Sequence, residues 1–248
     1  MLMSQNNSFL HGKCAIVTGA AGGIGEKICA ALADLGINLV LVGRNENKLA
    51  ALSQRLAATG IQVCSCAGDL RDLSFIDTIP DTARRTFGRI DILINNAGLA
   101  HNSSFEDVTP ELFDDIMATN VRAPFFLCRN ALPDLEKSGM GTVINICSVV
   151  AHKGYPQQSV YVASKHALLG LSKSLANETY TRNIRVHAIS PGGVYTDMVA
   201  LTRPDLSSEG MMLAEDIADT VCFLLKKRNS NACIDEIELH RSNKAPFA

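Results

Sequence analysis

The sequence predicts an α/β fold, a doubly wound, seven-stranded parallel sheet with helices on both faces. Three observations predict it. Short β-branched or aliphatic runs alternate with helix-length amphipathic segments. No repeat or linker interrupts the alternation. The 248 residues, 47% hydrophobic, are enough to bury one large core. One domain over residues 1–248 is therefore expected, with residues 1–10 flexible.

Seven apolar runs, at 14–18, 38–42, 62–67, 90–94, 142–146, 185–189 and 236–239, read as the strands. A helix opening near Gly25 places Ile28, Ala31, Leu32 and Leu35 at helical spacing, and Gly36 suits the left-handed position that ends it. Another opens at Thr109-Pro110-Glu111, an N-cap followed by proline at the first helical position. The eight cysteines fall mostly inside apolar segments, where a thiol behaves as a small hydrophobe. Cys64 and Cys66 share one strand face but lack metal-site spacing and nearby histidines, so reduced thiols and no metal are expected.

A formal charge of −2, with 19% charged residues spread along the chain, leaves no basic stripe for a phosphate backbone and excludes nucleic acid as a partner. Residues 1–10 lack the cationic and apolar regions of a leader, and no apolar run approaches the roughly 18 residues of a membrane span. A soluble, cytoplasmic protein is the expectation.

The first strand runs into Thr18-Gly19-Ala20-Ala21-Gly22-Gly23-Ile24-Gly25 and then a helix, the context of a Rossmann-like dinucleotide loop. Glycines let the backbone approach a pyrophosphate while the helix amino end faces the anion. A ligand-free tight turn is the plainer alternative. About 20 residues beyond such a loop an NAD site carries an acid, whereas NADP needs room and positive charge for a 2′-phosphate. Here stands Gly43-Arg44-Asn45, and Arg44 offers a planar fork of donors. NADP(H) is favoured, with NAD(H) the alternative; Arg44 could otherwise be a surface arginine paired with Glu46 or Asp69. Asp69 and Leu70, after the third strand, suit an adenine amino group and ring. Asn96, Ala97 and Gly98, after the fourth, sit at the carboxyl end of the sheet, where ligands bind in open α/β folds.

Ser148 ends the fifth strand, and thirteen residues later Tyr161 is followed at i+4 by Lys165 on the same helical face. A nearby ammonium favours the phenolate and moves the tyrosine toward a pKa useful for proton transfer. Ser148 can donate a hydrogen bond to a substrate oxygen.

The set 18–25, 95–98, Ser148, Tyr161, Lys165 and Pro191-Gly192 resembles the short-chain dehydrogenases/reductases over about residues 11–240. The resemblance implies an NADPH-dependent oxidoreductase that reduces a ketone or aldehyde to an alcohol, reversibly. Tyr161 is then the general acid, Lys165 lowers its pKa and binds the nicotinamide ribose, and Ser148 positions the carbonyl. Asn120 matches the asparagine whose backbone holds a water of the proton relay. Gly19, Gly22, Gly23, Ile24, Gly25, Pro191, Gly192, Val194 and Thr196 would meet the cofactor. Val150, Tyr155, Gly193 and Met198 would line the substrate pocket with Ser148 and Tyr161, and Leu99, His101 and Val149 border it. Lys153 and Arg203 are the available cations. A homodimer or homotetramer is implied, and the apolar run at 124–127 suits its interface as well as it suits a core helix.

Two departures stand out. The region 197–214, where the family carries a mobile lid, is short, which predicts an open pocket. The segment ending Glu238-Leu239-His240-Arg241 lacks the aspartate-glycine-glycine close of many members and is more similar to the sepiapterin reductase and 3-hydroxy acid dehydrogenase subgroup. A 3-oxoacyl thioester on acyl carrier protein, a 3-hydroxy acid, a pterin or a sugar all fit as substrate. The alternative from another class is a catalytically silent NADPH sensor, against which an intact Ser148, Tyr161 and Lys165 set argues. An epimerase or dehydratase would need a longer chain and different glycine spacing.

Overall fold

A computed structural model describes residues 7–202 and 207–244, the side chains of Asn7, Asp197, Met198 and Thr202 excepted. The strands are β1 (Cys14–Thr18), β2 (Asn38–Gly43), β3 (Val63–Ala67), β4 (Ile92–Asn95), β5 (Thr142–Ile146), β6 (Arg185–Pro191) and β7 (Glu236–Leu239). They form one parallel sheet in the order β3-β2-β1-β4-β5-β6-β7. The helices are α1 (Gly23–Asp34), α2 (Glu46–Ala57), α3 (Leu73–Phe87), α4 (Pro110–Met117), α5 (Ala123–Lys137), α6 (Ser159–Thr179), α7 (Asp197–Thr202) and α8 (Ala214–Lys226).

Strand alternation explains the two layers. In β1, Ala15 and Val17 pack with Leu39 and Leu41 of β2 against α1, α2 and α8, while Cys14, Ile16, Val40 and Val42 face α3 and α5. Both faces are covered, which is why the strands read as continuous apolar runs. Thr109 caps α4 by accepting from Leu112 N–H at 3.2 Å, with Pro110 in the first turn, as its sequence predicts. Gly36 follows α1 at φ +73°, while Ala31 and Leu35 are only half-buried and Cys29 and Ala33 complete the buried stripe. The eight cysteines are free thiols, with Cys64 and Cys66 both facing the α3 side.

The expectation that residues 1–10 are flexible needs correction at its end. Asn7–Leu10 forms a 3₁₀ turn, and Leu10 is buried in the core beside α8; residues 1–6 lie outside the described residues. The fourth strand begins two residues later than expected because Asp91 has another task. Its buried carboxylate accepts from Cys14 N–H (2.9 Å), Ser138 Oγ (2.6 Å) and both Arg89 Nε and Nη2 (2.7 Å). Burial pulls its pKa up, but the guanidinium, hydroxyl and amide outweigh this and hold it below the usual carboxylate range.

Asp91 thus ties the start of β1 to the α5–β5 turn. Asp91→Asn is expected to lower stability by about 2 kcal/mol, read by urea unfolding at neutral pH. A depressed folded pKa stabilises above the unfolded value of about 4 and loses that contribution as pH falls through the folded value, so the gap between wild type and variant should close in acid.

Candidate active site

The sheet reverses its winding between β1 and β4, opening a crevice at their carboxyl ends. A reciprocal set of bonds shapes it. Thr18 Oγ1 accepts from Asn96 and Ala97 N–H, each at 3.0 Å, and Asn96 Nδ2 donates back to the carbonyls of Thr18 (3.0 Å) and Gly19 (3.2 Å). The glycines are dictated by these approaches. Gly19 has φ +64°, and a Cβ on it would lie 2.9 Å from Ala97 Cα; one on Gly25 would lie 2.1 Å from the Gly19 carbonyl oxygen. Gly22 caps α1 without a side chain, so the orphan N–H groups of the first turn face the crevice. Gly23 faces Thr196, bringing the 191–196 stretch to the loop, while Ile24 packs on the core beneath.

At the other end, Gly43 closes β2 and receives Gly68 N–H at 2.9 Å. Arg44 is exposed, and among the described residues it makes no hydrogen bond or ion pair. Asp69, its proposed surface partner, is held instead by Arg71 (Nη2 to Oδ2 2.7 Å), which also reaches Asp115 at 2.6 Å. Hydrogen bonding from Arg71 keeps the Asp69 carboxyl below its ordinary value, with Arg44 a minor contributor. Two expectations shift here. Asn45 caps α2, its Oδ1 accepting from Lys48 N–H at 2.9 Å, and Leu70 is turned into the core rather than outward. The glycine cradle and the α1 amino end fit a dinucleotide, with the exposed Arg44 guanidinium at the end of β2.

The chemical groups converge behind the cradle. Ser148, nearly buried, donates to the Pro191 carbonyl at 3.3 Å and is hydrogen-bonded to Tyr161. Lys165 is buried, and a Cβ on Gly98 would lie 3.6 Å from its Nζ and 3.5 Å from Asn120 Oδ1. The expectation that Lys165 lowers the tyrosine pKa is not met in this structure. Nζ donates to the Ile146 carbonyl at 2.7 Å and stands 5.8 Å from the ring centroid. Burial pushes the Tyr161 phenol up more than the Ser148 hydrogen bond pulls it down, and burial pushes Lys165 down.

Asn120 sits in a single π-turn (Ala118–Arg122) between α4 and α5. Pro124 explains the break, because its ring clashes with the carbonyl of residue 120 and offers it no N–H. The Asn120 amide clips the loop after β4, accepting from Leu99 N–H (2.7 Å) and donating to Leu99 C=O (2.8 Å) and Ser164 Oγ (3.0 Å). That side-chain role was not legible from sequence, since its partner lies 21 residues away.

Around this centre, Val150 is buried, Tyr155 is exposed with Lys153 6.0 Å from its ring, and Gly193 C=O accepts from Met212 N–H at 3.0 Å. Pro191 ends β6 and Gly192 N–H donates to Leu239 C=O at 2.7 Å; Val194 is buried. The Met198 side chain and Arg203 lie outside the described residues. His101, expected to border the pocket, is buried and caps α6 instead. It accepts from Val160 N–H at 3.2 Å, which leaves Nδ1–H to donate to Ser103 Oγ at 3.0 Å; burial lowers its pKa and favours this neutral form. His152 ties the loop after Ser148 to β7, its Nε2 being 2.7 Å from Glu236 Oε1.

A family model described as short chain dehydrogenase matches residues 13–207. The chain belongs to that family. Short-chain dehydrogenases are oxidoreductases acting on CH–OH and keto groups. A 3-oxoacyl-(acyl-carrier-protein) reductase FabG of Rickettsia bellii is 36% identical over 231 residues, covering 89% of this chain and 92% of that protein. A D-beta-hydroxybutyrate dehydrogenase of Cupriavidus necator is 37% identical over 190 residues, covering 77% and 74%. Among solved structures, a metagenomic short-chain oxidoreductase in complex with NADP superposes with TM-score 0.82 at 30% identity, over 94% of this chain and 99% of that one. An alcohol dehydrogenase of Thermococcus sibiricus complexed with 5-hydroxy-NADP gives TM-score 0.87 at 26% identity, over 95% and 99%.

Asn120→Ala would strand the Leu99 N–H and C=O. The expected outcome is a loss of about 2 kcal/mol in stability and faster amide exchange at Leu99, read by hydrogen-exchange mass spectrometry.

Proposed function

We propose that this chain is an NADPH-dependent carbonyl reductase in which Tyr161 is the acid, Ser148 the carbonyl donor, Lys165 the cationic partner and Asn120 the group that sets their loop. The observation that carries this reading is the meeting of Ser148 and Tyr161 with the Lys165 ammonium and Asn120 beneath Gly98, directly behind the glycine cradle. Gly19, Gly22, Gly23 and the α1 amino end would hold the pyrophosphate, Arg44 the 2′-phosphate, Lys165 the nicotinamide ribose, and Thr196 the nicotinamide side. The cofactor supplies the hydride when bound. Ser148 and the Tyr161 hydroxyl donate to the substrate oxygen and stabilise its developing charge. Tyr161 then gives up its proton, and Lys165 balances the phenolate that forms.

The two curated relatives are named for 3-oxoacyl and 3-hydroxy acid chemistry, which supports a 3-oxo or 3-hydroxy acyl substrate over a pterin or sugar. Residues 1–248 are taken as one domain. Cytoplasmic location is supported by the free thiols, and no described helix is long and apolar enough to cross a membrane. Self-assembly would use the α4–α5 face, where Phe113 and Phe125 are exposed and Pro124 and Leu127 turn inward.

Tyr161→Phe is expected to cut turnover at least about 10³-fold while NADPH affinity changes little; retained turnover would overturn the acid assignment. Because burial holds the phenol protonated, kcat/KM for reduction should stay flat through neutral pH and fall only in strong alkali, whereas alcohol oxidation should climb with pH. A parallel fluorescence titration with NADPH and NADH tests the phosphate site. Wild type should prefer NADPH, and Arg44→Asp should weaken NADPH by about tenfold or more without weakening NADH. Equal affinities in wild type would make Arg44 a surface charge.

A further inference from the structure

The ending Leu239-His240-Arg241 has no part in the chemistry above, yet the sheet delivers it to the site. Leu239 pairs with Pro191, and Gly192 N–H donates to the Leu239 carbonyl at 2.7 Å, so the chain leaving β7 emerges alongside Gly193. Arg241 lies directly on that glycine. A Cβ on Gly193 would stand 3.6 Å from Arg241 Cδ and Nε and 3.8 Å from Cζ. Pro191, two residues before Gly193, is the residue whose carbonyl accepts from Ser148 Oγ at 3.3 Å. The guanidinium therefore rests at the edge of the reacting centre.

It also has no described polar partner. Arg241 is half-buried, and among the described residues its side chain makes no hydrogen bond and meets no carboxylate within 4 Å. Arg185 and Arg228, by contrast, stitch backbone carbonyls around the β6–α8 corner, and Arg71, Arg84 and Arg89 each hold an aspartate. Five N–H donors in a planar fork match a carboxylate or a phosphate in two-point contact, and the nearest acids on β7 are otherwise engaged, Glu236 with Ser190 and His152, and Glu238 with His152.

We infer that Arg241 is a specificity-determining residue that recognises an anionic group on the substrate, a carboxylate or phosphate carried on the same molecule as the reacting carbonyl. The inference rests on the carbonyl reductase reading and narrows it to acidic substrates, excluding simple neutral ketones as preferred ones. The two sources of the anion are a free 3-oxo acid and the phosphate of a phosphopantetheine thioester.

The test compares wild type, Arg241→Lys and Arg241→Ala on four substrates with NADPH. These are 3-oxobutanoate, its methyl ester, 3-oxobutanoyl phosphopantetheine and the 3-oxobutanoyl thioester of N-acetylcysteamine, which lacks the phosphate. Wild type should favour one charged member over its neutral counterpart, and which one identifies the source. Arg241→Ala should raise KM for that member by about tenfold or more, with Arg241→Lys intermediate and the neutral counterpart within about twofold. NADPH affinity, titrated separately, should not move. An equal KM change for charged and neutral substrates overturns the inference and leaves the reductase reading standing, as does a loss confined to NADPH affinity. Failure of wild type to reduce any of the four overturns the reductase reading and this inference with it.

Discussion

The clasp between the ends of β1 and β4 is the constraint on which the rest of the site depends. Thr18 gives its hydroxyl oxygen to two amides of the 96–97 segment, and Asn96 returns its own amide to two carbonyls of the glycine turn. Each strand end thereby satisfies polar groups the other would leave bare at a sheet terminus, where unpaired backbone is costly. The approach is so close that only glycine fits at 19 and 25. The glycine-rich turn is thus a consequence of holding two strand ends together, and the open cradle at the α1 amino end is the surface that this closeness leaves. An alanine at position 25 would push the turn off the clasp before it touched any ligand.

From that clasp the chain extends the site by a second fixation. The segment leaving Asn96 runs through Gly98 to Leu99, whose backbone is gripped at both ends by the Asn120 amide. Asn120 can reach it because the helix changes register there, and it changes register because Pro124 cannot coexist with a regular turn ahead of it. A proline in α5 positions the asparagine, which positions the loop, which lies over Lys165. His101 continues the line by capping α6 at the Val160 N–H, one residue before Tyr161 in the first turn. Helix α6 is held at its amino end by the same loop that Asn120 holds at its start.

The strands and the order of the motifs were legible in the sequence because both depend on neighbours in the chain. Apolar runs, the Thr109-Pro110 start and the i+4 placement of Tyr161 and Lys165 are local patterns, and local patterns survive without a structure. What was illegible joins residues far apart. Nothing in the spacing tells that Asn96 serves Thr18 from 78 positions away, that His101 caps a helix at Val160, or that Asp69 is claimed by Arg71 and Asp115. The capping by Asn45 and the core packing of Leu70 went unread for a related reason. A residue type that suits a ligand also suits a helix cap or a core, and only the direction of the side chain separates the two. The buried polar line from Asn95 through Asn145 to Ser172, at 2.8 Å each, left no trace at all within strands that read as apolar.

The Tyr161 and Lys165 pair shows why direction of shift matters more than proximity. Sequence reasoning places a cation near a phenol and concludes that the phenol is acidified. In the folded chain Lys165 is buried and Tyr161 half-buried, and the loss of water favours the neutral form of each, raising the phenol and lowering the ammonium. The resting tyrosine therefore keeps its proton, the state that the proposed reduction would require at its outset. In the proposed reduction the lysine would act later. Once the proton has left, the phenolate and the ammonium are opposite charges in a region with little water, where their attraction is greatest. A cation that contributes little to the starting state and much to the state after proton transfer would lower the barrier selectively, which is the form of stabilisation that accelerates a reaction rather than merely tightening a complex.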